Sequence, residues 1–190
     1  SLDEAARKQA ASRFSHELAR ALVAATEGTD VEVTFVVHDP AQLALLPAGV
    51  AHVSIHAPTS AKEPLTARIL NWHRPDVVYS PMQTMGSSGR RFGLILTLHD
   101  TIYYRHGTPP RDLGWGVRVM WRLFHLSYVP QRLTLNAADI VATVSETSKR
   151  EFERVRLTKR PIVVLPNAPQ RLAELLPEGA RPGVEAPRNI

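Results

Sequence analysis

Residues 94–106 read Leu94-Ile95-Leu96-Thr97-Leu98-His99-Asp100-Thr101-Ile102-Tyr103-Tyr104-Arg105-His106. Four apolar residues in five, followed by imidazole and carboxylate, describe a buried strand that delivers polar groups to its carboxyl end. Outward from it, further strands are expected at Val31–His38, Val77–Ser80, Ile140–Val144 and Pro161–Leu165, and at Ala51–Ala57, where Val53 and Ile55 alternate with His52, Ser54 and His56. Between the strands lie helical patterns. The first spans Ala11–Thr26, with Phe14, Leu18, Ala21, Leu22 and Ala25 at helical spacing and Gly28 as its stop. A single turn is expected over Ala41–Leu46 and a helix over Leu65–His73, halted by Arg74-Pro75. A long helix is expected up to about Asn136, and Ser145 caps another that runs to about Val155. Short apolar strands alternating with helices make an α/β fold, a mainly parallel sheet with helices on both faces. Ligands in such sheets sit at the carboxyl ends of the strands.

Composition narrows the class. The chain has 190 residues, 44% hydrophobic and 22% charged, enough apolar material for one packed domain. The four prolines Pro169, Pro177, Pro182 and Pro187 mark residues 168–190 as a linker, so the expected division is a domain over 1–167 and a linker leading to a second domain. The opening on a polar helix is read as following a strand, which makes the chain a fragment. No apolar run approaches the ~20 residues of a membrane-spanning helix, and the charged first residues do not read as a secretory leader. The absence of cysteine excludes disulfide scaffolds, thiolate zinc sites and thiol nucleophiles, and fits a reducing, cytoplasmic setting. A formal charge of +5 favours anionic partners, with arginine bias from a GC-rich genome as the blander cause.

His99 donates to hydroxyls or phosphates and Asp100 accepts from hydroxyls, a pairing suited to polyhydroxylated ligands. The alternative is structural, with His99 ending the strand and Asp100 bonding loop amides. Tyr103, Arg105 and His106 follow in the same loop. A second candidate is the turn from strand 140–144 into the helix at Ser145, where free backbone amides and Lys149 suit an anion. An ordinary serine cap, with Glu146 complementing the helix dipole, explains the same residues. In the long helix Val117, Met120, Trp121, Phe124 and Tyr128 form an apolar stripe beside Arg118, Arg122 and His125. This stripe either lies on an anionic membrane or packs on the sheet. Gly86-Ser87-Ser88-Gly89-Arg90-Arg91 lacks the ending of a phosphate loop and reads as a mobile rim of the site. No histidine pair has metal-ligand spacing on a suitable element.

The ordered segments HRPDVVYSP (73–81), LILTLHD (94–100), ADIVATVSETSKREF (138–152) and PIVVLPNAP (161–169) resemble the amino-terminal half of a retaining glycosyltransferase of family 4 with GT-B architecture. The resemblance covers about residues 11–168. It implies a Rossmann-like, acceptor-side domain that faces a donor-binding domain across a cleft. It implies a nucleotide-sugar donor, a sugar, glycan or lipid-linked acceptor, and no metal or other cofactor. Position by position, His99 falls on the family's active-site histidine, and Asp100, Tyr103, Arg105 and His106 face the acceptor. Asp100 stands where relatives that use a phosphorylated inositol acceptor tend to have a hydroxyl residue, and its carboxylate, which repels a phosphate, argues against that acceptor class. Donor-phosphate contact is implied for Ala10, Ala11 and Arg13, and for Ser145 and Lys149. The first loop departs from the family, because Lys8-Gln9-Ala10-Ala11-Ser12-Arg13 holds no glycine pair. The family's acidic pair lies in the second domain, so the chain alone is expected to be inactive; the expected setting is cytoplasmic, with a peripheral place on the inner membrane face as an option. Two rivals remain: half of a GT-B-like sugar-nucleotide epimerase, told apart by product analysis, and a basic nucleic-acid module, told apart by salt-dependent duplex binding. The second lacks a nucleic-acid motif, so no nucleic acid is expected as partner.

Overall fold

The computed structural model describes residues 17–166 apart from 59, 106 and 110–113. The described residues open on helix α1 (17–26), and Gly28 follows in the left-handed region at φ 75°. Its inward face is Ala19, Val23 and Thr26, spaced by four and three residues. The expected stripe of Ala21, Leu22 and Ala25 points outward. Both stripes have helical spacing, and only the packing chooses between them.

Strands β1 (Thr34–Val37) and β2 (Ala51–Ser54) pair in parallel. Asp39 joins them to a 3-10 turn at Pro40–Leu45: its carboxylate accepts from Ala41 N at 2.8 Å, and Gln42 Oε1 accepts from Asp39 N at 3.1 Å. That reciprocal arrangement satisfies the first free amides of the turn. β1 differs from the expected buried run. Phe35 and Val37 turn inward, whereas Thr34 and Val36 are exposed, so this ribbon is covered on one face only.

Helix α2 (Thr66–Leu70), flanked by 3-10 turns, ends where Arg74 takes a left-handed φ of 49° before Pro75. Strands β3 (Val77–Ser80), β4 (Gly93–Thr97), β5 (Ile140–Thr143) and β6 (Ile162–Val164) form a parallel sheet in that order. The expected single sheet is thus two, because no ladder joins β1 or β2 to β3. β4 and β5 are central, and Leu94, Leu96, Val141 and Ala142 are sealed. Against them pack Ala67 and Leu70 of α2, Leu135 of α5 (Val129–Asn136) and Phe152 of α6 (Glu146–Arg154).

Two polar ties lock this core. Asp139 Oδ2 accepts from Leu94 N at 2.8 Å and Arg90 binds both oxygens of the same carboxylate, at 2.7 and 2.9 Å. The guanidinium, followed by the Leu94 amide, holds the Asp139 carboxyl below the usual carboxylate range. The loop 81–91 is anchored, contrary to its reading as a mobile rim. Gly86 N donates to Glu63 Oε1, Gly86 O accepts from Ala67 N, and Asn71 bonds Gly89 O and Arg91 N. Gly86-Ser87-Ser88-Gly89 looks flexible in sequence, but α2 and the 3-10 turns that flank it supply partners for the loop backbone.

The long helix expected up to Asn136 is two helices, α4 (Trp115–His125) and α5, with a break at Leu126–Tyr128. Pro130 stands in the first turn of α5, where its missing N–H costs nothing.

Candidate functional site

The site is built where β4 leaves the sheet. Leu98 N still donates to Ala142 O at 2.9 Å, and Thr143 Oγ1 donates to His99 O at 3.4 Å. The backbone of His99 is therefore held by β5, while the residue itself and Asp100 are exposed. Asp100 Oδ1 accepts from Ile102 N at 2.9 Å and starts the short helix α3 (Ile102–Arg105). That is the structural role anticipated for Asp100, and its exposure leaves it open to a ligand as well.

α3 leans on α4 and on Tyr128, the residue before α5, through its tyrosines. The Tyr103 ring stands edge-on to Trp121 at 5.3 Å and near His125 at 5.8 Å, while Tyr104 lies 4.2 Å from Tyr128. Aromatic contacts of this kind hold orientation as well as area. Burial, with Tyr128 beside it, pushes the Tyr104 hydroxyl up to about 12. Tyr103 thus faces the α4 aromatics, whereas Arg105, at the end of α3, points the other way.

Arg105 meets Glu151 of α6, Nη2 to Oε1 at 2.8 Å, with Arg154 Nη2 at 3.8 Å from the same oxygen. Asp100, Thr101, Ile102, Arg105 and Glu151 enclose an open cavity of about 250 Å³. Two carboxylates that accept and a guanidinium that donates are the groups that bind a polyhydroxylated ligand, since each hydroxyl both donates and accepts. The placement follows from register. Thr97 of β4 pairs with Ala142 of β5, so the segments leaving these neighbours emerge side by side, and α3 faces α6. Sequence reasoning missed Glu151. Its signal was its position on the helix after β5, which carries weight only once β4 and β5 are known to be neighbours.

At the other end of α6, Ser145 Oγ accepts from Ser148 N at 3.1 Å and bonds Ser148 Oγ at 3.0 Å. Ser145 is the N-cap, and Lys149 follows in the next turn with its N–H on Ser145 O at 3.0 Å. Of the expected residues, Asp100 and Arg105 come together in the cavity, with His99 adjoining them along the chain. Ala10, Ala11, Arg13 and His106 lie outside the described residues. Among the described residues no three His, Asp or Glu side chains group as metal ligands.

Central parallel strands ending at a charged cavity define a Rossmann-like α/β domain, with that cavity at the carboxyl edge of its sheet, where sheets of this kind receive ligands. Residues 11–168 match the family model Glycosyltransferase Family 4, and the chain belongs to that family. It therefore has the architecture of an amino-terminal GT-B glycosyltransferase domain, and sugar-transfer substrates follow in general terms. No curated protein and no solved structure matches the chain. No helix among the described residues is long and apolar enough to cross a membrane.

Proposed function

We propose that this chain is the acceptor-side half of a retaining glycosyltransferase that draws on a nucleotide-sugar donor. The observation that carries the reading is the cavity at the carboxyl end of β4, where Asp100 and Arg105 meet Glu151. Asp100 and Glu151 accept from acceptor hydroxyls and Arg105 donates to them, fixing which hydroxyl enters the cleft. His99, exposed beside the cavity, orients the transferred sugar and offsets charge that develops as the glycosidic bond breaks. Ser145 and Lys149, at the start of α6, lie on the donor-diphosphate side, where α6 offers the positive end of its dipole. For Arg13 and the amides of Ala10 and Ala11, donor-phosphate contact rests on the family resemblance alone. The acceptor is a sugar, a glycan or a lipid-linked sugar, the last met on the inner face of an anionic membrane.

No metal is needed for this chemistry, because arginine, lysine and helix amides neutralise the diphosphate. A second domain supplies the remaining donor contacts, so the 190-residue chain alone does not turn over. The test is His99→Ala in the complete two-domain enzyme. Turnover falls at least a hundredfold while the melting temperature changes far less, since His99 is exposed. Unchanged turnover removes His99 from the site, and enzyme-like turnover by the isolated chain removes the two-half reading.

A further inference from the structure

α4 is apolar around most of its circumference, and Val117 and Met120, 54% and 72% exposed, stand between its inner and outer sides. Its inner side carries Trp121 and His125, whose rings lie 4.1 Å apart against the tyrosines of α3. At i, i+4, i+8 and i+11 the outer side carries Trp115, Val119, Leu123 and Leu126, which are 83%, 41%, 60% and 78% exposed. A helix that merely covers a core is polar on that side. Here no residue of α4 is buried, and nothing among the described residues covers the strip. Arg118 and Arg122 run along one edge of it. From Gly114 to Ala138 there is no aspartate or glutamate.

We infer that this outer face of α4 docks on an anionic lipid bilayer, with the helix lying in the headgroup plane. Leu123, Val119 and Leu126 enter the acyl boundary, and the Trp115 indole sits at headgroup depth, where its apolar body and its N–H are both satisfied. Arg118 and Arg122 meet lipid phosphates beside the strip. Arg132 takes no part, because its guanidinium is committed to Val155 O and Arg156 O at 2.7 and 3.0 Å. Charge selects the occupant. Paired with a second copy, the strip would bring Arg118 and Arg122 against themselves with no acid in the segment to answer them, whereas a bilayer supplies the anions. The purpose of such docking, delivery of a lipid-linked acceptor, rests on the proposed transferase reading. The adsorption does not, because it needs no turnover.

The test is co-sedimentation of the 190-residue chain with phosphatidylcholine vesicles, with and without phosphatidylglycerol, read alongside tryptophan emission. Binding is expected only with the anionic lipid, weakening as salt rises, with a blue shift that Trp115→Ala removes. Arg118→Gln with Arg122→Gln weakens binding by about 30-fold, from about 1 kcal/mol per cation at the surface. Leu123→Glu abolishes binding with an unchanged far-ultraviolet circular dichroism spectrum, and Trp72→Ala, at an exposed indole elsewhere, leaves binding intact. Failure of the unaltered chain to bind, indifference to Leu123→Glu, or a dimer that Leu123→Glu dissociates would each overturn the proposal. If the chain binds vesicles while the complete enzyme glycosylates only water-borne acceptors, docking stands and the lipid-linked acceptor falls.

Discussion

Arg105 and Glu151, 46 residues apart in sequence, join α3 to α6 through a 2.8 Å contact at the cavity that ends the central strands. Arg105 is 61% exposed and Glu151 19%, so water screens the pair from one side only. Such a pair contributes little to stability. Its consequence is positional, since it aims a guanidinium with five donors and a carboxylate into one space.

A double-mutant cycle separates the two roles. Arg105→Ala, Glu151→Ala and the double variant should give a coupling energy below about 1 kcal/mol in urea denaturation. In the complete enzyme each single change should cost tenfold or more in kcat/KM for the acceptor, mostly through KM. A coupling of several kcal/mol with normal kinetics would make the pair a structural brace.

Tyr104 carries a buried hydroxyl with no hydrogen-bond partner among the described residues. Removing an unpartnered buried polar group stabilises, so Tyr104→Phe should raise stability by about 1 kcal/mol at pH 7. The pH dependence has a definite sign. The folded value, about 12, lies above the ordinary 10 of an unfolded tyrosine. The unfolded chain therefore loses this proton first, and the stabilisation present below pH 10 disappears between pH 10 and 12. Denaturation midpoints across that range should fall for the parent chain and fall less for the variant; identical slopes would exclude Tyr104 as the cause.

Gly86 and Gly28 should respond differently to alanine. A Cβ on Gly86 would stand 2.0 Å from Glu63 O and 2.8 Å from Pro64 Cα, both backbone atoms that cannot swing aside. Gly86→Ala should cost about 3 kcal/mol, through overpacking that pries the 81–91 loop from α2. Gly28 has open space around it and only its φ of 75° to protect, so Gly28→Ala should cost about 1 kcal/mol. Chemical denaturation of the two variants checks the order.

The strands were legible because each depends on a local run: Leu94–Leu98 and Ile140–Val144 read as buried before any neighbour was known, and Leu94, Leu96 and Val141 are sealed. The same logic failed at β1, where Val36 is apolar yet exposed, since an apolar run does not say how many faces will be covered. The helix expected up to Asn136 shows a similar limit. Apolar spacing persists across Leu126–Tyr128, and Pro130 is as much at home starting a helix as bending one.

The candidate site divides along the same line. His99, Asp100 and Arg105 could be named from residue types and from their place after an apolar strand, because chemistry at a strand end needs only its own segment. Glu151 could not, and neither could the outward strip of α4. Periodicity places Trp115 and Leu123 on one side of a helix and Trp121 on the other, without saying which side meets α3. Strand order and helix docking settle these matters, since they depend on contacts between residues tens of positions apart, and those contacts form only when the chain packs.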